Sequence, residues 1–443
     1  MRGTIEENNM PKLIYKRLSD LSFSRPSGTE NEQKAAELIS EEIRKIGFTP
    51  GIQNFTYARN AVKESYLAAI DEDGKEISFP VTGVTDSKET PEDGIVADFY
   101  YLKSFDEVSL SRIRGKVVLI HDRLSAEEYG RLKKAGIVGY ITTSGTVRDT
   151  YENSDLETNR FRDNLKDAGP VPAFTIRLID AVELLRLKPK KVHIKLSLKT
   201  EEVKSKNLVV TIDGDDADEQ IIVGAHYDSV PFSLGSWDNG AGAVELLSLL
   251  EYFKEKRPKR TIKIIWFGSE ETGLKGSRAY VGDNEKDIEK TLTMINVDVG
   301  GSILGKEMIF VAGVDSAEIW IRSFLKEVGY EAVTTKKIMS SDSANFNDVG
   351  IPTISIGQMP PKGGGYMHTR YDNMDLIDED VLEAEAGFLI RLVERLDSFE
   401  VFPIPRVIPE KLRKEVIDYF GVNQSRLVGI PVAEEEKPLP FYF

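Results

Sequence analysis

The sequence contains no cysteine, which excludes disulfides and thiolate metal ligands. Histidine is scarce as well, with only four residues in a chain of 443. A metal site would therefore need those few imidazoles together with carboxylates or backbone oxygens. No apolar run approaches the roughly 18 residues that are needed to cross a bilayer, and this argues against a membrane protein.

Positive charge is also in deficit, since 58 Lys and Arg face 73 Asp and Glu and leave a net charge of −15. A nucleic-acid partner is disfavoured, because phosphate binding needs clustered positive charge. The N-terminal stretch MRGTIEENNMPKL has no apolar segment of the kind found in secretion signals, so we expect a cytoplasmic protein. The sequence leaves the oligomeric state open, including a homo-oligomer.

The chain is longer than a single core usually supports, which predicts more than one domain. After Lys206, strand-like and helical segments alternate, and this predicts an α/β fold whose mixed, mostly parallel central sheet is flanked by helices. Residues 64–200 contain short strand-like runs and predict a smaller, β-rich α/β inserted domain. We therefore assign residues 1–63 and 201–400 to one domain and residues 401–443 to a C-terminal extension.

Acidic residues and a histidine follow three of the predicted strands. His226 and Asp228 close one strand, Glu270 and Glu271 follow a second, and Asp298 ends a third. Because the carboxyl ends of parallel strands form the ligand crevice of such sheets, we expect these side chains at one place. A buried Asp298 would need a partner such as a cation.

Ordinary explanations exist for the candidate residues. Asp238 lies just before the helix predicted from Gly240 and could be its N-cap. Glu270 and Glu271 could be solvated loop acids, and His368 could be a surface histidine in a glycine-rich loop. The clustering favours a functional site instead, in which one of the adjacent glutamates binds a cation while the other holds the attacking water.

Six motifs occur in a fixed order between Asn207 and Leu396: AHYDS (225–229), WDNGAG (237–242), GSEETGLKGS (268–277), NVDVGG (296–301), SDSANFNDVGIP (341–352) and HTRYDNMDLID (368–378). As a set they resemble the co-catalytic di-zinc aminopeptidases, which are related to glutamate carboxypeptidase and the transferrin receptor ectodomain. Residues 64–200 resemble a protease-associated domain through RGKVVLIHDR, KKAGIVGYITTSG and VPAFTIRLIDAVELL, a weaker match carried by glycines and apolar runs.

The resemblance implies a site with two divalent metal ions. His226 and Asp298 would hold one ion, Glu271 and His368 would hold the other, and Asp238 would bridge both. Two histidines and three carboxylates suit zinc, and cobalt or manganese could occupy the same donors. The zinc assignment itself comes from the resemblance.

The resemblance also implies roles for two further carboxylates. Glu270 would be the general base, and Asp228 would orient His226 through the ring nitrogen that does not touch metal. The peptide bond between Asp238 and Asn239 would be cis. The implied activity is that of a metal-dependent exopeptidase, an aminopeptidase that hydrolyses N-terminal residues from peptides.

Some positions depart from the pattern of the family. Ile338 and Met339 occupy a region where some members have a tyrosine that assists the oxyanion, so Tyr366 or the metals would have to supply that role. Ser343 stands where a histidine is commoner. Three alternatives stay open: a carboxypeptidase, a glutaminyl cyclase with one metal, and a non-catalytic receptor-like protein that would be expected to have lost ligands.

Overall fold

The computed structural model describes residues 12–121, 124–146, 149–360 and 367–428. The helices are α1 Leu13–Leu21, α2 Glu30–Ile46, α3 Glu107–Leu110, α4 Ala126–Ala135, α5 Asp163–Lys166, α6 Leu178–Arg186, α7 Ala241–Phe253, α8 Lys275–Asp283, α9 Glu285–Lys290, α10 Asp315–Val328, α11 Ser343–Asn347, α12 Glu379–Asp397 and α13 Glu410–Phe420. The strands are β1 Gly51–Ile70, β2 Glu76–Phe79, β3 Val81–Gly83, β4 Ile95–Tyr101, β5 Val117–Ile120, β6 Gly139–Ser144, β7 Ala173–Arg177, β8 Lys191–Ile212, β9 Asp216–His226, β10 Arg260–Phe267, β11 Thr291–Val297, β12 Lys306–Ala312, β13 Val333–Thr335 and β14 Thr353–Met359.

The chain divides into two compact units. The first comprises the described residues up to Thr56, Lys204–Ile417, and the described residues from Arg426 onward. The second comprises Tyr57–Val203 and Asp418–Ser425. The predicted domain boundaries at 63, 200 and 400 stay predictions. The last six residues of the sequence, PLPFYF (438–443), lie outside the described residues.

The sheet of the first unit has the strand order β13-β12-β14-β11-β9-β10-β8. Its centre is parallel, because β9 pairs in parallel with both β10 and β11, and β11 pairs in parallel with β14. Two pairs are antiparallel: β12 with β14, and the last residues of β8 with β10. The predicted fold class, a mixed and mostly parallel sheet flanked by helices, is confirmed.

Two helices of the first unit, α2 and α7, have local sequence signals that favour them. Helix α2 begins after Thr29, whose side chain accepts from the amide of Glu32, and it ends at Gly47 with φ of 115°. Glycine suits that left-handed C-cap because it has no Cβ to clash. Helix α7 is apolar on nearly all sides and packs against α1, α2 and α12, which places it in the largest hydrophobic core.

The second unit has its own sheet, in which β4, β5, β6 and β7 are successively parallel and β3 is antiparallel to β7. Strand β5, helix α4 and strand β6 form a unit of strand, helix and parallel strand. Helix α4 begins with a capping box in which Ser125 and Glu128 bond each other's backbone amides, and it ends at Gly136. Across the described part of the chain, no helix has both the length and the apolar character that a membrane span requires.

Candidate metal centre

The three central strands of the first unit end side by side. Strand β9 lies between β10 and β11, and its last residue is His226. Glu270 and Glu271 follow β10 after a short turn, and Asp298 directly follows β11. Parallel pairing puts these strand ends at one edge of the sheet, as the sequence predicts.

Five side chains converge there in two groups. The Nε2 atom of His226 lies 3.1 Å from Oδ1 of Asp238 and 3.2 Å from Oδ1 of Asp298. The Nε2 atom of His368 lies 3.2 Å from Oδ2 of Asp238 and 3.1 Å from Oε2 of Glu271. Each group of three could hold a metal ion, and Asp238 contributes one carboxylate oxygen to each.

The chemistry of this cluster fits divalent cations. The side chains of Asp238, Glu271 and Asp298 are 5%, 6% and 9% exposed, so three carboxylates are gathered out of water. Such burial is costly unless positive charge compensates it. Oε1 of Glu271 is buried without a hydrogen-bond partner among the described residues, which leaves it available to a cation. Imidazole nitrogens and carboxylate oxygens are ligands that zinc accepts.

The electrostatics of the five residues show how strongly they interact. The charge of Glu271 raises the pKa of His368 to about 12. Burial would lower the pKa of His226, but the charges of Asp298 and Glu270 outweigh it and hold that pKa well above its ordinary value. Burial would raise the pKa of Asp238, but the hydrogen bonds from the two histidines hold it below its ordinary value. Opposite charges at this distance favour the charged forms of both partners.

Asp228 connects the end of β9 to the turn after β10. Its Oδ1 accepts from the amide of Glu270 at 2.9 Å, and its Oδ2 accepts from the amide of Glu271 at 3.2 Å. Nδ1 of His226 lies 3.5 Å from Oδ1 of Asp228 and 3.2 Å from its carbonyl oxygen. Asp228 therefore holds both the imidazole and the backbone of the two glutamates, the arrangement that orients a metal-binding histidine.

Glu270 differs from its neighbour Glu271. Its carboxylate belongs to neither of the two groups, whereas Glu271 belongs to one. Burial raises the pKa of Glu270 well above its ordinary value, and the charges of Glu271 and Asp298 add to this effect although that of His226 opposes it. A carboxyl group with a raised pKa beside a charged cluster has the properties of a group that exchanges protons.

The segment that carries Asp238 has an unusual backbone. The peptide bond between Asp238 and Asn239 is cis, as the resemblance implies. Asp238 is not the N-cap of α7, because Gly240 is the residue before that helix and residues Ser236–Gly240 form a separate turn with non-helical torsion angles. The simple capping explanation is therefore wrong. Nδ2 of Asn239 donates to the carbonyl of Val297 at 2.8 Å, which ties the turn to the end of β11.

Asp372 is a buried residue to which the sequence pattern assigned no role. It accepts from the amides of Trp237 and Asp238 at 2.7 and 3.2 Å and from the hydroxyl of Ser233 at 3.2 Å. Burial raises its pKa to about 7. Asp372 lies within the motif at 368–378, but only the folded chain brings it to the bridging aspartate.

Residues from the N-terminal segment were also missed. Glu32 accepts from the hydroxyls of Ser205 and Ser269 at 2.7 and 3.1 Å, and burial raises its pKa to about 7. Ser269 precedes Glu270 and has φ of 58°, so its bond to Glu32 supports a strained turn. Two more residues of this segment were missed. Arg25 contacts the residues on either side of Asp228, and the hydroxyl of Ser27 donates to the carboxylate of Asp228. Nothing in the spacing of these residues marks them.

The positions that depart from the family pattern are explained in part. The hydroxyl of Ser343 lies 2.9 Å from that of Ser355, within the interior. Ile338 is buried. Tyr366 lies outside the described residues, so its suggested role stays a prediction. Phe346, in the motif at 341–352, is fully buried and its ring centroid lies 6.2 Å from that of Phe267, so it is a core residue.

A second set of carboxyl groups lies against the loop that follows Asp298. Glu245 and Glu385 are buried, and Oε2 of Glu385 accepts from the amide of Gly301 at 2.7 Å. Burial, together with the charges of neighbouring glutamates, raises the pKa of both well above the ordinary value, and it also raises that of Glu307. These three glutamates, called the acidic trio below, favour protonated carboxyls in the folded state.

Known proteins are similar to this chain in sequence and in fold. Residues 207–393 match the model described as peptidase family M28. The aminopeptidase YwaD of Bacillus subtilis (strain 168) is 25% identical over 427 residues, covering 92% of this chain and 89% of the relative. Carboxypeptidase Q of Rattus norvegicus is 25% identical over 407 residues, covering 84% and 83%. The solved structure of a zinc aminopeptidase from Bacillus subtilis has a similar fold, with a TM-score of 0.69, 24% identity, and coverage of 90% of this chain and 98% of that one. The part of the chain from residue 207 to residue 393, which contains the whole candidate metal centre, is therefore a peptidase family M28 domain.

Proposed function

We propose that this peptidase is an aminopeptidase that uses two divalent metal ions, with zinc as the first candidate. The observation that carries the proposal is the position of Asp238. Its Oδ1 lies 3.1 Å from Nε2 of His226, and its Oδ2 lies 3.2 Å from Nε2 of His368. A carboxylate shared in this way is suited to bridge two cations. Cobalt or manganese would fit the same nitrogen and oxygen donors.

The proposed ligands are His226 and Asp298 for one ion, Glu271 and His368 for the other, and Asp238 for both. Two ions bound in this way would lower the pKa of a shared water and stabilise the negative charge that develops on the scissile carbonyl. The unpartnered Oε1 of Glu271 and the low exposure of the three carboxylates support this assignment.

Two further carboxyl groups of the chain would transfer the proton and orient a metal ligand. Glu270 takes the proton of the attacking water and passes it to the leaving amine, which a carboxyl group outside both ligand groups and with a raised pKa is suited to do. Asp228 keeps His226 oriented and holds the backbone amides of both glutamates, so that base and ligand keep their separate directions.

The choice of an aminopeptidase over a carboxypeptidase depends on which peptide end the site accepts. The dense carboxylates would attract a free amine, and one similar relative is named an aminopeptidase. Another similar relative is named a carboxypeptidase, so that activity is the second candidate. Zinc-loaded protein should release the first residue from peptides with a blocked carboxyl end and leave peptides with an acetylated amine intact. The opposite pattern would identify a carboxypeptidase.

The other two alternatives differ in metal content and chemistry. A glutaminyl cyclase is expected to hold one metal ion and to convert an N-terminal glutamine without releasing it. A receptor-like protein is expected to have lost ligands, whereas all five positions keep theirs. Metal analysis that found two equivalents of zinc together with peptide hydrolysis would exclude both.

Several further predictions accompany the proposed activity. We propose a cytoplasmic protein that binds peptides and neither nucleic acid nor membrane, and we leave a homo-oligomer open. We also propose that residues 64–200 form a protease-associated domain. Cell fractionation with an antibody, and sedimentation of the purified protein, would test the location and the oligomeric state.

A further inference from the structure

Arg25 is a fully buried arginine whose guanidinium bonds backbone carbonyls. Nε donates to the carbonyl of Tyr227, Nη1 donates to that of Leu234 at 2.6 Å, and Nη2 donates to that of Gly235 at 2.7 Å. Nη1 also donates to the carbonyls of Leu21 and Phe23 at 2.9 and 3.2 Å. One side chain thus satisfies carbonyl groups from three stretches of chain.

Two of those stretches carry proposed metal-site residues. Tyr227 lies between His226 and Asp228, and Gly235 lies three residues before Asp238. The guanidinium therefore joins the end of β9 to the turn that presents the bridging carboxylate. The fit is close, since a Cβ atom added at Gly235, where φ is 61°, would lie 3.0 Å from Nη1 of Arg25 and 2.7 Å from Cβ of Ser229.

The backbone and the hydroxyl beside Arg25 continue the same connection. The amide of Arg25 donates to the hydroxyl of Ser229 at 3.0 Å, and the amide of Ser229 donates to the carbonyl of Arg25 at 3.3 Å. The hydroxyl of Ser27 donates to Oδ2 of Asp228 at 2.7 Å. The carboxylate of Asp228 in turn accepts from the amide of Glu271, so Ser27 is two bonds from a proposed ligand.

We infer that the segment from Arg25 to Ser27, which lies outside the family-matched residues 207–393, is a positioning element that holds the metal centre in its ligating geometry. The inference rests on the proposed two-metal function. Arg25 acts through the backbone on both sides of Asp228 and on the approach to Asp238, and Ser27 acts through the carboxylate of Asp228. Neither is a ligand or touches substrate.

Lysine cannot replace Arg25 in this role. A guanidinium offers five N–H donors in a rigid plane, whereas an ammonium is a single point with three donors on a flexible stem. Arg25→Lys keeps the positive charge and removes the simultaneous contacts to Tyr227, Leu234 and Gly235. Residues that orient metal ligands typically change metal affinity about 10- to 100-fold when they are lost. We expect a loss of that size for Arg25→Lys and a smaller loss for Ser27→Ala.

Arg260 provides a matched control in the same unit. It is also fully buried, and it bonds the carboxylate of Glu219 and the carbonyls of Asp397 and Phe399. Arg260 is the first residue of β10, and the turn to Glu270 follows the other end of that strand. At about 3.3 Å per residue, the two ends of the strand lie about 23 Å apart. Arg260→Lys should lower the melting temperature and leave the zinc affinity as in the unmodified chain.

The test is a zinc dissociation constant measured by chelator competition at about 25 °C on the full chain, with the melting temperature recorded for each variant. Weaker zinc binding by Arg25→Lys and Ser27→Ala, with Arg260→Lys unchanged, supports the positioning role. Equal zinc affinity in all four proteins overturns it, and so does an equal loss in Arg260→Lys. If Arg25→Lys does not fold, Ser27→Ala decides by the same criteria. If the unmodified chain binds fewer than two zinc ions, the proposed function itself fails.

Discussion

Replacement of Glu270 by glutamine separates proton transfer from metal binding. The change removes a base of nearly the same shape from a position that belongs to neither ligand group, while the amide of residue 270 can still donate to Asp228. We therefore expect Glu270→Gln to keep two zinc ions and the fold. A general base contributes about 10² to 10⁴ in rate, which corresponds to about 3 to 5 kcal/mol of transition-state stabilisation.

The assay is steady-state hydrolysis of an aminoacyl chromogenic substrate, combined with metal analysis of the same sample. We expect kcat to fall by about 10² to 10⁴ with little change in KM, because the missing interaction operates in the transition state. Glu271→Gln is the matched comparison one residue later, and it should lose zinc affinity as well as activity, since Oε2 of Glu271 faces His368 at 3.1 Å. A Glu270→Gln protein that kept more than about a tenth of kcat, or that lost its zinc, would refute the reasoning on general-base catalysis.

Three further predictions concern stability. The pKa values of the acidic trio are raised in the folded state, so its contribution to stability is fully present below the ordinary glutamate pKa of 4.5 and is lost as pH rises through the higher folded-state pKa. Between about pH 6 and pH 9, the melting temperature of Glu385→Gln should therefore fall less than that of the unmodified chain. The exposed Glu331→Gln should follow the unmodified chain, and equal slopes in all three proteins would contradict this account. Asp372→Ala should lower the free energy of unfolding in urea by about 1 to 3 kcal/mol for each of the two buried amides left without an acceptor, and a change under about 1 kcal/mol would show that those amides find other partners. Zinc removal with a chelator should lower the melting temperature reversibly, because an ion at about a thousand times its Kd adds about 4 kcal/mol to stability, and an unchanged temperature would argue against ions at this site.

Regular elements of the first unit could be predicted because their signals are local. The stripe of apolar residues between Thr29 and Gly47 is a local signal for α2, and the caps of that helix lie at those two residues. The apolar run TIKIIWFG (261–268) is likewise a local signal for β10, and the segment EKLRKEVIDYF (410–420) is one for α13. Helix α1 was not predicted, although its buried residues Ile14, Leu18 and Leu21 recur at helical spacing, because it is only nine residues long and has no side-chain N-cap to mark its start. The length of β8 was also missed, because the polar stretch KTEE (199–202) interrupts the alternation of buried residues on either side of it.

The sequence by itself determined which residues could form a metal site and in which order along the chain they occur, because strand ends, acidic residues and motif spacing are written locally. Only the tertiary structure decided that the two oxygens of Asp238 face different histidines, that Asp238 is not a helix cap, and that Phe346 belongs to the core. Only the folded chain, too, brings Arg25, Ser27 and Asp372 to the site. The physical reason is that such contacts join residues about two hundred positions apart, so no local pattern of residues along the chain marks them.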